Sequence, residues 1–324
     1  PEERWIRLRP RYRNLEGLLQ AVEQLYADLG IEIVTSSGTS GRASFVVRNG
    51  LTVQLAISAF FSGIAQAWDI RRGTALVFMM PAETRVAMAR TARLGTNTLN
   101  WMDDAPVHYT IPFAATPDMI RIRAGRTYHP GLEGWLERRV LNPGMRWAND
   151  HLANPQSIDL TRRRLVELIR ANRPIMLLGG MAQLHALAQV VKLRLPEGSR
   201  VATGGGFKES YNYTPAQIRA DLVKAFGAPV SDVYGMAEAN WAAFECPVGN
   251  HHIPPWVYAV VTDDDDHILD GPDTTGLLAF FDPEGGGYLI PPFFQTSDRI
   301  RLVNGASGYD PTRVCPCGED TPYI

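Results

Sequence analysis

The chain has 324 residues, 45% hydrophobic and 20% charged, with a formal net charge of −2. That is enough core for one large domain or two fused subdomains. The balanced charge disfavours a nucleic-acid partner, and the cluster Arg162, Arg163, Arg164 and Arg170 reads as a solvated helix face. Three cysteines exclude a disulfide scaffold and point to a reducing, cytoplasmic compartment, and no uninterrupted run of 18 apolar residues marks a membrane span.

The opening PEERWIRLRPRYR carries no signal-peptide pattern, and a chain starting at Pro1 is expected to have lost residues upstream. Apolar periodicity predicts a helix over 15–29, a short strand over 31–34 and a Ser/Thr/Gly cluster from Thr35 to Gly41. A helix over 51–68 and a buried strand over 75–80, closed by Pro81, come next. Then follow a helix over 160–170, a strand over 174–178 ending in Gly179-Gly180, and a helix over 183–192. The strand 200–203 runs into Gly204-Gly205-Gly206, a helix covers 215–226, and 230–234 is the next strand. This alternation predicts an α/β fold with a mostly parallel sheet flanked by helices. From about Trp256 short β-branched and aromatic runs (257–261, 277–281, 299–303) are separated by Gly, Pro and Asp. The expected organisation is therefore an α/β core over 1–255 and a smaller β-rich subdomain over 256–324. The acidic run Asp263 to Asp266 reads as a hairpin turn rather than a metal site.

The cluster Ser36-Ser37-Gly38-Thr39-Ser40-Gly41 follows a strand. Its backbone N–H groups and hydroxyls suit an anion, although it lacks the Gly-Lys-Ser/Thr ending of a Walker loop. It resembles the phosphate loop of the adenylate-forming superfamily, which includes acyl-CoA synthetases, adenylation domains and luciferases. Three further stretches resemble that superfamily's motifs in the right order. Thr203-Gly204-Gly205-Gly206-Phe207-Lys208 is similar to its adenine-contacting turn, and Tyr234-Gly235-Met236-Ala237-Glu238 to its Tyr-Gly-x-Thr/Ser-Glu motif. Gln295-Thr296-Ser297-Asp298 is similar to its Thr-Gly-Asp motif. Within the superfamily the chain looks most like the phenylacetate–CoA ligase and LuxE-type acyl-protein synthetase branch.

The resemblance implies the large N-terminal domain of the adenylate-forming fold. It also implies ATP-dependent activation of a carboxylic acid to an acyl-adenylate, followed by transfer to a thiol or amine. The acceptor is left open among CoA, a carrier protein, a protein cysteine and a small amine. By this likeness Ser36 to Gly41 hold phosphates, Ser37 and Thr39 with Glu238 serve catalysis, and Glu238 positions Mg²⁺. Tyr234, Gly235, Met236 and Gly204 to Gly206 enclose adenine, and Asp298 holds the ribose hydroxyls. Ala237 stands where the motif has Thr or Ser, and Arg42 follows the loop in place of Lys; both put details of phosphate binding in doubt. Met181 and Phe207 are candidates for the acyl pocket, with core packing the stronger reading.

A second constellation joins Cys246, Cys315 and Cys317 with the pair His251-His252. Thiolate and imidazole donors in a closed four-coordinate set suit structural Zn²⁺. The resemblance to phenylacetate–CoA ligases favours His252 over His251 as the fourth ligand. A transferring thiol at Cys315 or Cys317 is the weaker alternative, because Cys-Pro-Cys-Gly suits a metal clip better.

Superfamily members continue into a mobile C-terminal domain of about one hundred residues that carries a catalytic lysine. The resemblance therefore implies that this domain is missing here. The competing reading is a catalytically idle nucleotide- or acyl-binding module. A dinucleotide oxidoreductase is disfavoured by the lack of an early Gly-x-Gly-x-x-Gly. No membrane or nucleic-acid partner is expected, and oligomerisation is left open.

Overall fold

A computed structural model describes residues 14–36, 44–119, 131–206, 212–283, 285 and 291–324. Its strands are β1 (Glu32–Thr35), β2 (Phe45–Arg48), β3 (Ala75–Pro81), β4 (Val107–Ile111), β5 (Ile175–Gly180), β6 (Arg200–Gly204), β7 (Val230–Gly235), β8 (Ala242–Glu245), β9 (His251–His252), β10 (Tyr258–Thr262), β11 (Asp273–Phe281) and β12 (Phe293–Val303). The helices are α1 (Leu15–Leu25), α2 (Gly50–Trp68), α3 (Ala87–Thr98), α4 (Gly131–Leu136), α5 (Asn142–Ala148), α6 (Asn154–Arg170), α7 (Met181–Val190) and α8 (Pro215–Phe226).

Seven strands form one sheet in the order β4-β3-β5-β6-β7-β8-β9. The pairs from β4 to β7 are parallel, and β8 and β9 add antiparallel. Side chains alternate across it. Ala75, Val77 and Met79 join one core with Leu165, Leu187 and Leu222 from α6, α7 and α8. Leu76, Phe78 and Met80 join a second core with Ile57, Phe61, Ile64 and Ala92 from α2 and α3. A strand covered on both faces needs apolar residues at every position, which is why β3 and β5 read as unbroken apolar runs.

Helix α2 begins with a reciprocal cap: Asn49 Oδ1 accepts from Thr52 N at 2.9 Å, and Thr52 Oγ1 accepts from Asn49 N at 3.0 Å. By length and composition α2 is apolar enough to cross a membrane. Its Ile57, Phe60, Phe61, Ile64 and Trp68 are instead packed into the second core, with Trp68 Nε1 donating to the Glu245 carbonyl at 3.0 Å.

Several elements went unread in the sequence. Strands β2, β4, β8 and β9 are short, and α3 is rich in Ala and Thr. Residues 131–153 form α4, α5 and two π-helical turns. Here burial inverts the usual pattern: Glu137 and Asn142 are buried, whereas Leu132, Trp135, Trp147 and Leu152 are exposed. An apolar stripe does not face the core, so periodicity could not find these helices.

From Tyr258 onward β10, β11 and β12 form an antiparallel three-stranded sheet. Its inner residues Ala259, Val261, Leu278, Phe280 and Leu302 share one core with Trp241, Ala243 and Ile253 from the edge of the large sheet. The C-terminal residues join the two sheets. Ile324 exchanges both backbone hydrogen bonds with His251, at 2.9 and 3.0 Å, and Tyr323 exchanges both with Val303, at 2.9 and 3.1 Å. Asp263 to Asp266 form the expected hairpin turn, with Asp263 Oδ1 accepting from the backbone of Asp265 and His267, each at 2.9 Å.

Candidate functional site

The β1–β2 hairpin is held from two sides. Its register runs from Glu32↔Arg48 to Thr35↔Phe45. At its loop end Ser36 N donates to the Ser44 carbonyl at 3.0 Å, and Ser36 Oγ accepts from Ser44 N at 2.9 Å. Of the expected phosphate loop only Ser36 is described; Ser37, Gly38, Thr39, Ser40 and Gly41 lie outside the described residues, as does Phe207. On one side Arg85 bridges Glu16 and Glu23 of α1 and donates to the Ile33 carbonyl at 2.9 Å. Thr35 N donates to the Arg85 carbonyl at 2.6 Å. Burial acts against the Arg85 charge, but the hydrogen bonds to Glu23 and Glu16 outweigh it and hold the guanidinium above its ordinary pKa.

On the other side Val34 and Val46 enclose Ala237 in a small apolar cluster with Ala87. A threonine at 237 would place a hydroxyl among these methyl groups, so the departure from the superfamily pattern matches its surroundings.

Strands β5, β6 and β7 run parallel, Ala237 just past the end of β7 packs on this hairpin, and the candidate motifs follow at the strands' carboxyl ends, where open α/β sheets bind ligands. Gly204 closes β6. A Cβ there would meet Met88 Cε at 2.8 Å and Val233 Cγ1 at 3.0 Å; the flexible methionine end can give way, so the tight contact is with Val233 on β7. Gly205 and Gly206 have φ of 84° and 73°, in the left-handed region, and both are exposed. Beside them β7 ends in Tyr234 and Gly235, with Met236 and Tyr234 packed against the third core.

Tyr234 and Asp298 come from two motifs that the fold brings into contact. Tyr234 Oη donates to Asp298 Oδ2 at 2.7 Å. Burial, then the neighbouring carboxylate, push the phenol well above its ordinary pKa, so Tyr234 stays a donor. Asp298 is exposed, and its backbone N–H donates to Thr296 Oγ1 at 3.0 Å. Gln295 turns away to Thr262 and Asp266. Glu238 is half-buried, on a loop whose flanking carbonyls are both bound by Arg48. Sequence reading missed Arg48 and Arg85, because a single arginine in a short strand or loop carries no spacing signal. Met181 packs partly buried against the first core.

The metal-ligand candidates Cys246, His252, Cys315 and Cys317 converge, their donor atoms all lying within 4.8 Å of one another. Cys246 Sγ and Cys315 Sγ are 3.9 Å apart, and Cys317 Sγ is 3.3 Å from His252 Nε2. The cysteines come from two turns of one design, Cys246-Pro-Val-Gly249 and Cys315-Pro-Cys-Gly318. In each the cysteine carbonyl accepts from the glycine N–H, at 3.0 and 2.9 Å, and the glycine takes φ near 90°: 93° in one turn and 91° in the other.

His252 Nδ1 lies 2.8 Å from Thr321 Oγ1, which leaves Nε2 toward the sulfurs. His251 instead faces Asp232, with Nε2 to Oδ2 at 3.2 Å, outside the cluster. Burial pushes the Cys317 thiol up to about 11. Burial also raises Cys315, but hydrogen bonds from the Cys317 backbone and the Asn250 side chain outweigh it and hold that thiol below its ordinary value.

No family profile matches the chain. A long-chain-fatty-acid–luciferin-component ligase of Aliivibrio fischeri is 30% identical over 166 residues, which is 47% of this chain and 42% of that protein. The open form of 2-hydroxyisobutyryl-CoA ligase, solved with 2-HIB-AMP and CoA, superposes with a TM-score of 0.55 at 15% identity. That match covers 92% of this chain and 52% of the ligase. The post-adenylation form of the same ligase gives a TM-score of 0.53, over 94% of this chain and 55% of that one. The chain thus spans about half the length of the relatives it matches. In fold this chain is similar to the 2-hydroxyisobutyryl-CoA ligase, and over about half its length its sequence is similar to the luciferin-component ligase.

Proposed function

We propose that the chain carries the nucleotide-binding half of an AMP-forming ligase, which activates a carboxylic acid as an acyl-adenylate with release of pyrophosphate and passes the acyl group to a thiol or amine. The observation that carries this reading is the Tyr234–Asp298 hydrogen bond beside the Gly204 to Gly206 turn. It joins two separately encoded motifs, Tyr234 at the carboxyl end of β7 and Asp298 on β12, and the hairpin bearing the Ser36 to Gly41 loop packs against Ala237 beside Glu238.

The residues fit ATP. Gly205 and Gly206 present exposed backbone, and a Cβ built on either meets no atom of the described residues within 4 Å. Asp298, oriented by Tyr234, offers a carboxylate to the ribose hydroxyls. Ser37, Thr39 and their neighbours would hold the β- and γ-phosphates, and Glu238 would help to hold Mg²⁺. The metal supplies charge neutralisation as two anions approach. The chain's own contribution is geometry, because attack of a carboxylate on the α-phosphate needs alignment more than a covalent group. The luciferin-component ligase and the CoA ligase suggest carboxylic acid substrates, with CoA among the acceptors.

The cysteine cluster fits structural zinc. A tetrahedron with Zn–S bonds of about 2.3 Å has sulfur–sulfur edges of about 3.8 Å, close to the 3.9 Å between Cys246 and Cys315. Thr321 would fix the His252 tautomer that leaves Nε2 free. Four protein donors leave no open position, so this metal would hold structure only.

Acid-dependent exchange of labelled pyrophosphate into ATP tests the ligase reading, with a panel of aryl, fatty and amino acids and the full-length protein. Exchange with at least one acid is expected. Nucleotide binding without exchange for any acid would leave the idle-module reading in its place.

A further inference from the structure

Arg48 is a buried guanidinium that none of the four motifs contains. It lies at the end of β2, 3% exposed, and one nitrogen, Nη2, donates to two carbonyls: Ala237 at 3.0 Å and Ala239 at 2.7 Å. These are the residues immediately before and after Glu238. A single group from the hairpin therefore holds both peptide units that flank the candidate magnesium-positioning carboxylate.

Two further observations bear on this contact. Arg48 Nε and Nη1 are buried with no hydrogen-bond partner among the described residues, an arrangement whose cost has to be outweighed elsewhere. Desolvation lowers its pKa to about 10, and only the charges of Asp282 and Glu238 act in the opposite direction. Removing one charge from a buried polar set is usually destabilising, so a positioning role has to be read from an observable that stability does not move. The same loop is held from the far side by Asp282 Oδ2, which accepts from Asn240 N at 3.1 Å.

We propose that Arg48 is a positioning residue that couples the phosphate-loop hairpin to the Glu238 loop, setting the carboxylate of Glu238 relative to the nucleotide phosphates. The chain separations of 189 and 191 residues mean that nothing local fixes this geometry. This inference rests on the nucleotide-binding reading above, and its test is chosen to tell the two apart.

Binding of a fluorescent ATP analogue to the full-length protein is titrated with Mg²⁺, for the wild type, Arg48→Met, Arg48→Lys, E238Q and the double variant R48M/E238Q. Loss of an outer-shell partner typically weakens a metal site by about 10- to 100-fold. Arg48→Met should raise the half-saturating Mg²⁺ concentration by that amount while binding measured in EDTA stays unchanged. Arg48→Lys, which keeps a charged donor but on a shorter side chain that stops short of the Nη2 position, should fall between. In the E238Q background Arg48→Met should produce no further shift, a result that a merely structural role does not predict. Should Arg48→Met fail to fold, Arg48→Lys carries the test.

Wild-type Mg²⁺ dependence in a folded Arg48 variant would overturn the proposal, and so would equal shifts with and without Glu238. If the wild type binds no ATP analogue at any Mg²⁺ concentration, the nucleotide reading fails and the role of Arg48 falls with it; ATP binding without Mg²⁺ dependence overturns the Arg48 proposal alone.

Discussion

At the scale of single residues, the contacts with most consequence are polar pairs made across long chain separations. Tyr234 holds Asp298 by one hydrogen bond to an exposed carboxylate, and a bond of this kind contributes about 1 kcal/mol. Tyr234→Phe should therefore weaken ATP binding roughly fivefold with little change in Tm; isothermal titration with ATP reads the first and a thermal melt the second. The two Cys-Pro-x-Gly turns are likewise residue-scale devices. A Cβ on Gly318 meets no atom within 4 Å, so Gly318→Ala tests only the backbone cost of its φ of 91°. That cost is about 1 kcal/mol or more, and it should show as a lower urea midpoint together with a weaker zinc affinity.

Elements meet through positions that only their partners explain. Gly63, in the middle of α2, is a poor helix former, and alanine there would gain about 1 kcal/mol of propensity. The built Cβ, however, falls 1.9 Å from Phe244 Cε2 on β8, with two more ring atoms at 2.5 Å. Overpacking of a rigid ring commonly costs about 1–3 kcal/mol, so Gly63→Ala should be destabilising on balance, with a lower midpoint in a urea melt. A stabilised variant would show that α2 can slide on the sheet.

Asp273, at the start of β11, ties Arg301 of β12 and Arg313 to one carboxylate. Arg301 chiefly, with Arg313, holds its pKa below the usual carboxylate value. A lowered folded pKa means that the stabilisation is present above the unfolded value and is lost as pH falls through the folded one. The pair is largely solvated, so the effect is below about 1 kcal/mol. Asp273→Asn should lower Tm slightly at pH 6, and the two melting curves should converge as pH falls below the carboxylate range.

Across the whole molecule, the cysteine cluster and the C-terminal residues do one job. Two of the ligand candidates lie at the edge of the large sheet and two on the segment after β12, while Ile324 and Tyr323 bridge His251 to Val303. Zinc in this cluster would fasten the third core along its open side. Metal analysis of fresh protein should find one zinc per chain, lost in Cys315→Ser. Chelation should lower Tm and raise hydrogen exchange at 251–253 and 322–324 before it affects β3 or β5. Zinc-free protein with unchanged exchange there would remove the clip from the account.

Much of this was legible in the chain itself. The buried strands β3 and β5 and the helix Pro215–Phe226 follow from periodicity and turn residues, and the four motifs were read from their resemblance to those of a known superfamily. These are short-range signals that survive without a fold. The pairing of Tyr234 with Asp298, the fit of Ala237 among valines and the two buried arginines were decided only by tertiary structure. Each depends on which residues meet across long separations. The polar-in, apolar-out helices of 131–153 belong with them, because a helix is found by its stripe only when the stripe faces the core.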